Sequence, residues 1–283
     1  MKCYSHSSVN IGIFFAGWLG IDKQIWKGLT RNQSREGRMC WFTALVLAVQ
    51  ILGLSAVIIV AVWMGHFRGG FAWQSDPAKE FNFHPVFMVI GMIFLYSDGI
   101  LAYRVFRNMK KLYIKILHGM IHLGALIFSA VGLKAVFDSH NLAKNPIPNM
   151  YSLHSWMGII TVVLFGLQWL SGLTSFLFPG LSMGLKKQYM PHHVFWGIAI
   201  LTMAGATALM GITEKALFMM KTFPENGSKI PVLDYSHKPP EGILMNCLGI
   251  VIVTLIALVI YIVTRPEYKR EPSPDEEHIE LVN

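Results

Sequence analysis

Charge is what this chain most lacks. Only 14% of its 283 residues are Asp, Glu, Lys or Arg, against 53% hydrophobic residues and a mean hydropathy of +0.47. A soluble domain carries about 25% charged residues, so disorder and a basic nucleic-acid binder are excluded and a simple soluble enzyme is disfavoured. Cysteine is scarce too. Cys3, Cys40 and Cys247 stand far apart with no C-x-x-C or C-x-x-C-H, which leaves no zinc site, disulfide framework or c-type haem attachment to read. Also missing are G-x-G-x-x-G, G-x-x-x-x-G-K-[ST] and H-E-x-x-H, and with them the nucleotide and zinc-protease chemistries those motifs serve.

What is present is apolar sequence in long runs. A spanning helix takes about 20 mainly apolar residues, and six stretches qualify: Trp41–Met64, His84–Tyr103, Leu117–Phe137, Leu153–Phe178, His193–Leu217 and Ile243–Val263. The predicted fold is an all-α membrane protein of six transmembrane helices. Residues 1–40 are an N-terminal cytosolic extension, 41–264 the membrane domain, and 265–283 a disordered tail ending in Asp275, Glu276, Glu277 and Glu280. The apolar run Ile11–Ile21 resembles a signal-peptide core. Lys23, Lys27, Arg31, Arg35 and Arg38 follow it instead of a small-residue cleavage site, which favours the cytosolic extension.

Orientation follows from the distribution of Lys and Arg over short loops. Six spans put both termini on one side with loops 104–116 and 179–192. That side collects sixteen of the 24 basic residues and is predicted to be cytosolic. The opposite short loops hold only Arg68, Lys79 and Lys144. The net charge of +8 is therefore a one-sided feature of the membrane topology. Loop 218–241 carries the sequon Asn226-Gly-Ser, which suits a luminal face; Asn32-Gln-Ser makes a second one on the cytosolic side.

Eleven histidines are the informative excess, because ionisable groups at membrane depth are costly and mark function. Four sit near the starts of successive spans: His84, His118, His154 and His193. Consecutive spans are antiparallel, so His84 and His154 share one depth and His118 and His193 the other. Facing side chains in a helix bundle build cofactor sites, and paired imidazoles in an apolar bundle suit non-covalent b-type haem. Two pairs at two depths predict two stacked haems, a path for electrons across the membrane. Zinc is the competing metal, but it takes three or four converging ligands, and no carboxylates accompany these histidines. A lone histidine at a helix end is ordinarily an interfacial side chain; four at alternating starts form a pattern. His122, one turn after His118, and His192, next to His193, are the local rivals as ligands.

The stretch Tyr103–Lys115 holds five positive charges and no acid beside the predicted cytosolic pair. These are either plain membrane anchors or a docking site for a small anionic reductant, and Lys111 and Lys115 share one helical face. On the other side Tyr151 and Ser152 precede His154, and Glu214 and Lys215 close the fifth span.

The segments Tyr-Arg-Val-Phe-Arg-Asn at 103–108, Val-Phe-Asp at 136–138, Ser-Leu-His-Ser-Trp at 152–156 and Phe-Leu-Phe-Pro-Gly at 176–180 resemble the cytochrome b561 family of ascorbate-dependent transmembrane electron carriers. The resemblance runs from about Trp63 to Arg270 and is greatest toward the secretory-granule members. It implies that His84 and His154 ligate one haem b and His118 and His193 another. It further implies haem contacts from Arg104, Lys111, Asn149, Met150, Tyr151, Ser152, Glu214 and Lys269. Cytosolic ascorbate would be bound by Lys111, Lys115 and Lys186, and the luminal substrate by His140 and Tyr151. Lys186 stands where relatives often have Arg, which removes a bidentate fork for an oxyanion. Ser139 replaces an Asn that ferric-reducing relatives place beside His140. The implied activity is electron transfer from cytosolic ascorbate to luminal monodehydroascorbate radical, in the membrane of secretory vesicles, with a homodimer as the implied assembly. The alternatives are a ferric or cupric reductase of lysosomal or plasma membrane, or a haem-free scaffold or transporter.

Overall fold

The computed structural model describes residues 23–219 and 235–270. The Ile11–Ile21 run, the Asn226 sequon and the acidic end of the tail lie outside them. Contacts divide the chain into two units at Gln50 and Ile51. In the first unit, residues 23–50 are helical throughout. The second unit holds the ring of helices and the sites described below. Every regular element among the described residues is helical.

Among the described residues six helices are long and apolar enough to cross a membrane: Met39–Phe67, Pro77–Val105, Lys111–Asn141, Leu153–Leu177, Met183–Met219 and Pro240–Thr264. They overlap the six predicted stretches and outrun them on the basic face. The third starts at Lys111 and the fifth at Met183, passing through Pro191. Lys111, Lys115, Lys186 and Lys187 are thus helical residues, because their long side chains are good helix formers that no apolar count would include.

Local chemistry fixes the helix starts at the opposite face. Asp76 caps the second span, accepting from the Lys79 amide ahead of Pro77 in the first turn, and Lys79 holds its carboxyl below the usual range. Ser152 and Ser155 form a capping box on the fourth span, an arrangement that satisfies two otherwise orphan groups. One cysteine reading needs correction: Cys247 is a free thiol, whereas Cys40 is disulfide-bonded.

The second, third, fourth and fifth spans pack in a closed ring, each against the next and the fifth back on the second, and the sixth lies along the second and fifth. In lipid, apolar burial does not drive helix association; close approach and interhelical hydrogen bonds do, at about 0.6 kcal/mol per bond. Both occur here. A Cβ at Gly91 would stand 2.8 Å from the Ala125 carbonyl oxygen, so second and third spans touch at backbone level. Tyr96 Oη donates to the Gly197 carbonyl (3.0 Å) and Trp169 Nε1 to that of Gly119 (2.9 Å), tying second to fifth and fourth to third. The fourth span turns Leu153, Trp156, Ile160, Val163, Leu167 and Leu170 outward, an apolar stripe at helical spacing for lipid. The second span passes through a π-helical stretch at Val89–Leu95, between its histidine and Tyr96.

Candidate functional site

The four histidines form two facing pairs inside the ring of helices. The imidazole centres of His84 and His154 lie 6.2 Å apart, with planes at 85°. Those of His118 and His193 lie 6.1 Å apart, at 64°. Three rings engage the same kind of partner through Nδ1, a backbone carbonyl of a neighbouring span: Gly132 for His84 (3.1 Å), Gly99 for His118 (2.7 Å) and Thr207 for His154 (2.9 Å). A carbonyl can only accept, so Nδ1 carries the proton and Nε2 keeps its lone pair. His193 differs. Its Nδ1 faces the carboxamide of Gln168 at 3.0 Å, whose Nε2 also donates to the His193 carbonyl (2.7 Å).

These hydrogen bonds also measure the separation of the two levels. Along the second span fifteen residues separate His84 from Gly99, and along the third and fifth fourteen separate His118 from Gly132 and His193 from Thr207. At 1.5 Å per residue the levels are about 21–23 Å apart, within a hydrocarbon layer about 30 Å thick.

A metal bonded to two imidazole nitrogens at about 2 Å each sets the ring centres about 6 Å apart, since a ring nitrogen lies about 1.1 Å from its centre. Both observed separations match. Glycines make room for the rings. A Cβ at Gly211 would stand 2.7 Å from His154 Cε1, and one at Gly172 3.0 Å from His193 Cε1. The residues therefore fit a bis-imidazole metal group at each level.

His122, the rival to His118, is placed differently. Its ring is buried between Tyr96 (5.0 Å) and Phe165 (5.6 Å), edge-on to His118 at 4.5 Å. A Cβ at Gly99 would stand 2.5 Å from His122 Nε2, so that nitrogen faces backbone with no space for a ligand. His192, the other rival, is exposed to the surroundings of the bundle.

Around the His84–His154 pair lies a cavity of about 530 Å³, lined among others by His140, Tyr151, Glu214 and Lys215. Tyr151 is largely exposed, and Ser152 Oγ donates to Glu214 Oε2 (3.2 Å). Asn149 bridges His140 Nδ1 (3.0 Å) and the Asn141 side chain (2.8 Å). Met150 takes a positive φ of 59°, and its carbonyl accepts from Trp156 Nε1 (2.7 Å). The predicted contact residues Asn149, Met150, Tyr151, Ser152 and Glu214 are thus gathered on one rim.

The basic face is arranged less simply. Lys111 and Lys269 are exposed, and Lys186 is half-buried with Nζ beside Gly180. Lys115 Nζ donates to the Phe176 carbonyl (2.9 Å). The Phe176 ring lies 5.2 Å from that of His193 and stacks on Tyr189, while Tyr189 shares a hydrogen bond of 2.7 Å with Ser171. Arg104 is turned toward the last helix, where its guanidinium donates to the carbonyls of Arg265 (2.8 Å) and Val263. It satisfies helix-end acceptors that the sequence reading left out of account.

Sequence reasoning missed several of these groups. Gln168 was legible as the one amide in the apolar run Leu-Phe-Gly-Leu-Gln-Trp-Leu, since a polar side chain at membrane depth needs a partner. The ion pair of Arg68 with buried Glu241, which Trp63 Nε1 joins at 2.7 Å, had no sequence signal: its members are 173 residues apart.

Residues 83–219 match the family model for eukaryotic cytochrome b561. The transmembrane ascorbate-dependent reductase CYB561 of Sus scrofa is 46% identical over 232 residues, 82% of this chain and 86% of that protein. The human protein of the same name is 44% identical over the same shares. The plasma membrane ascorbate-dependent reductase CYBRD1 of Xenopus laevis is 43% identical over 244 residues, 86% of this chain and 81% of that one. With six spans, an imidazole pair at each of two levels and identity of this extent along most of its length, the chain belongs to the cytochrome b561 family.

Proposed function

We propose that this protein carries single electrons across a membrane, from cytosolic ascorbate to an acceptor in the lumen, using two b haems. The observation that supports it is the pair of facing imidazoles at each of two levels, spaced at 6.2 and 6.1 Å. His84 and His154 would hold the haem nearer the lumen, and His118 and His193 the one nearer the cytosol. Each haem supplies reversible one-electron ferric/ferrous chemistry inside a layer that excludes ions.

The chain's own residues do the rest. The carbonyls of Gly132, Gly99 and Thr207 fix tautomer and ring orientation and raise the basicity of the coordinating nitrogen. Tyr96, Phe165 and the apolar walls keep water from the space between the levels. Ascorbate monoanion gives up one electron and one proton to become monodehydroascorbate radical; Lys111, Lys115 and Lys186 are the cations that would dock it. Across the membrane the acceptor, monodehydroascorbate radical, takes up one electron and one proton to give ascorbate. His140 and Tyr151, at the cavity, are the residues for that acceptor. The one-sided Lys and Arg support cytosolic termini, and a secretory vesicle membrane suits an acceptor regenerated in the lumen.

The visible spectrum of the purified protein tests the reading directly. Ascorbate should raise a b-type α-band, with two haems per chain; no reducible band would end the proposal. His118→Ala or His193→Ala should leave about one haem, whereas His122→Ala keeps two. Stopped-flow oxidation in sided vesicles then identifies the acceptor. Faster oxidation by ferric or cupric chelate than by monodehydroascorbate radical assigns a metal reductase instead.

A further inference from the structure

Lys215 is a cationic group of the luminal cavity whose chemistry the proposed function leaves unused. It lies near the end of the fifth span, half-buried, and lines the cavity together with His84, His154 and Glu214. Its ammonium rests on an aromatic ring, Nζ being 4.0 Å from the centroid of Phe81. Phe81 in turn lies one turn before His84, with ring centres 6.0 Å apart.

The neighbouring carboxylates are already engaged. Glu241 takes both Arg68 and the Trp63 indole, and Glu214 accepts from Ser152. Among the described residues no carboxylate comes within ion-pair distance of Lys215. A lysine at a span's end ordinarily extends its ammonium to the interface. This one instead lies against a ring in the wall of the haem-side cavity. A ring face steadies a cation without cancelling its charge, so Lys215 places a positive charge in the cavity wall, one aromatic ring away from His84.

We infer that Lys215, seated on Phe81, is the anion-recognising residue of the luminal site and selects acceptors that carry an oxyanion, such as an enolate radical or a ferric carboxylate chelate. The inference rests on the reading that His84 and His154 hold the exit haem. A propionate of that haem offers the same oxyanion chemistry, and the test separates the two sources.

Full-length protein is placed in vesicles loaded with ascorbate, luminal face outward, and external acceptors are compared. Each acceptor gains one electron; ascorbate inside loses one electron and one proton. Lys215→Gln should slow reduction of ferricyanide, a trianion, about three- to tenfold at low ionic strength, the size expected for one charge acting on three across about 10 Å of water-like medium. The difference should vanish near 1 M salt, where screening acts within about 3 Å. Reduction of hexaammineruthenium(III), a cation, should not slow, Lys215→Arg should keep the parent rate, and the luminal haem's midpoint potential should stay put. Equal ferricyanide rates in parent and Lys215→Gln overturn the inference. A shifted luminal potential, with both acceptors slowed alike, overturns it in favour of the propionate. A parent without reducible absorbance overturns the haem reading beneath it, a result visible before any variant is compared.

Discussion

Gly211 offers a sharp test of how the His84–His154 imidazole pair is held. It lies on the fifth span, four residues beyond Thr207, against the ring of His154. Adding one methyl group there places a carbon 2.7 Å from Cε1 and 3.1 Å from Nδ1 of that ring. Carbon atoms in contact settle at about 3.5–4.0 Å, so the ring has to yield by about 0.8 Å or more. It has little room to do so. Its Nδ1 is tied to the Thr207 carbonyl at 2.9 Å, and its centre lies 6.2 Å from that of His84, already the separation that two bonds of about 2 Å require. Movement toward His84 closes the gap a metal would occupy; rotation breaks the tie to Thr207. Loss of such a supporting hydrogen bond weakens metal binding about 10- to 100-fold. Gly211→Ala should therefore purify with close to one haem per chain by pyridine haemochrome assay, the remaining one reducible by ascorbate. Gly172→Ala, at 3.0 Å from His193 Cε1, should weaken the other site less. Gly184→Ala, with nothing within 4 Å, should keep both. Alanine is the better helix former by about 1 kcal/mol, so unfolding does not account for a loss. Two haems and an unchanged spectrum in Gly211→Ala would refute the argument.

Three further outcomes follow from the same geometry. Lys111→Ala combined with Lys115→Ala should slow reduction by ascorbate while dithionite reduces both haems as in the parent; equal ascorbate rates remove these lysines from the donor site. Gln168→Leu takes away the only described side-chain partner of His193 Nδ1 and, on the proposed reading, should shift the midpoint potential of the haem at His118 and His193 in redox titration, the one at His84 and His154 holding still. Glu241→Leu leaves Arg68 and the Trp63 indole without their acceptor and should cost about 3–5 kcal/mol. Arg68→Met added to it should recover much of that loss in thermal denaturation, and no recovery would show that the ion pair acts through something other than charge.

Much of the architecture was legible because the bilayer imposes it. Six apolar stretches of spanning length had one structural use, and alternation of span direction by itself put His84 with His154 and His118 with His193. The helix ends were less legible. Apolar counting stops at Leu117 and His193, whereas the helices start at Lys111 and Met183, since backbone hydrogen bonds continue past the lipid boundary. Neither could spacing choose between His118 and His122, which stand one turn apart. The choice depends on the Gly99 backbone, which accepts from one ring and blocks the other. The positions of Arg104 and Lys115 were hidden for another reason. Each donates to main-chain carbonyls far away in sequence, and a carbonyl leaves no mark on a residue string.

That anonymity of the main chain has an evolutionary consequence for the histidines. Where the acceptor is a carbonyl, as at residues 132, 99 and 207, its presence depends on helix register and survives almost any change of side chain at that position. The electronic setting of three rings is therefore buffered against sequence drift. His193 is the exception: its Nδ1 partner is a side chain, and one codon at position 168 can replace it. The imidazole setting at His118 and His193 is therefore open to change through one side chain, whereas that at His84 and His154 changes only when helices themselves shift.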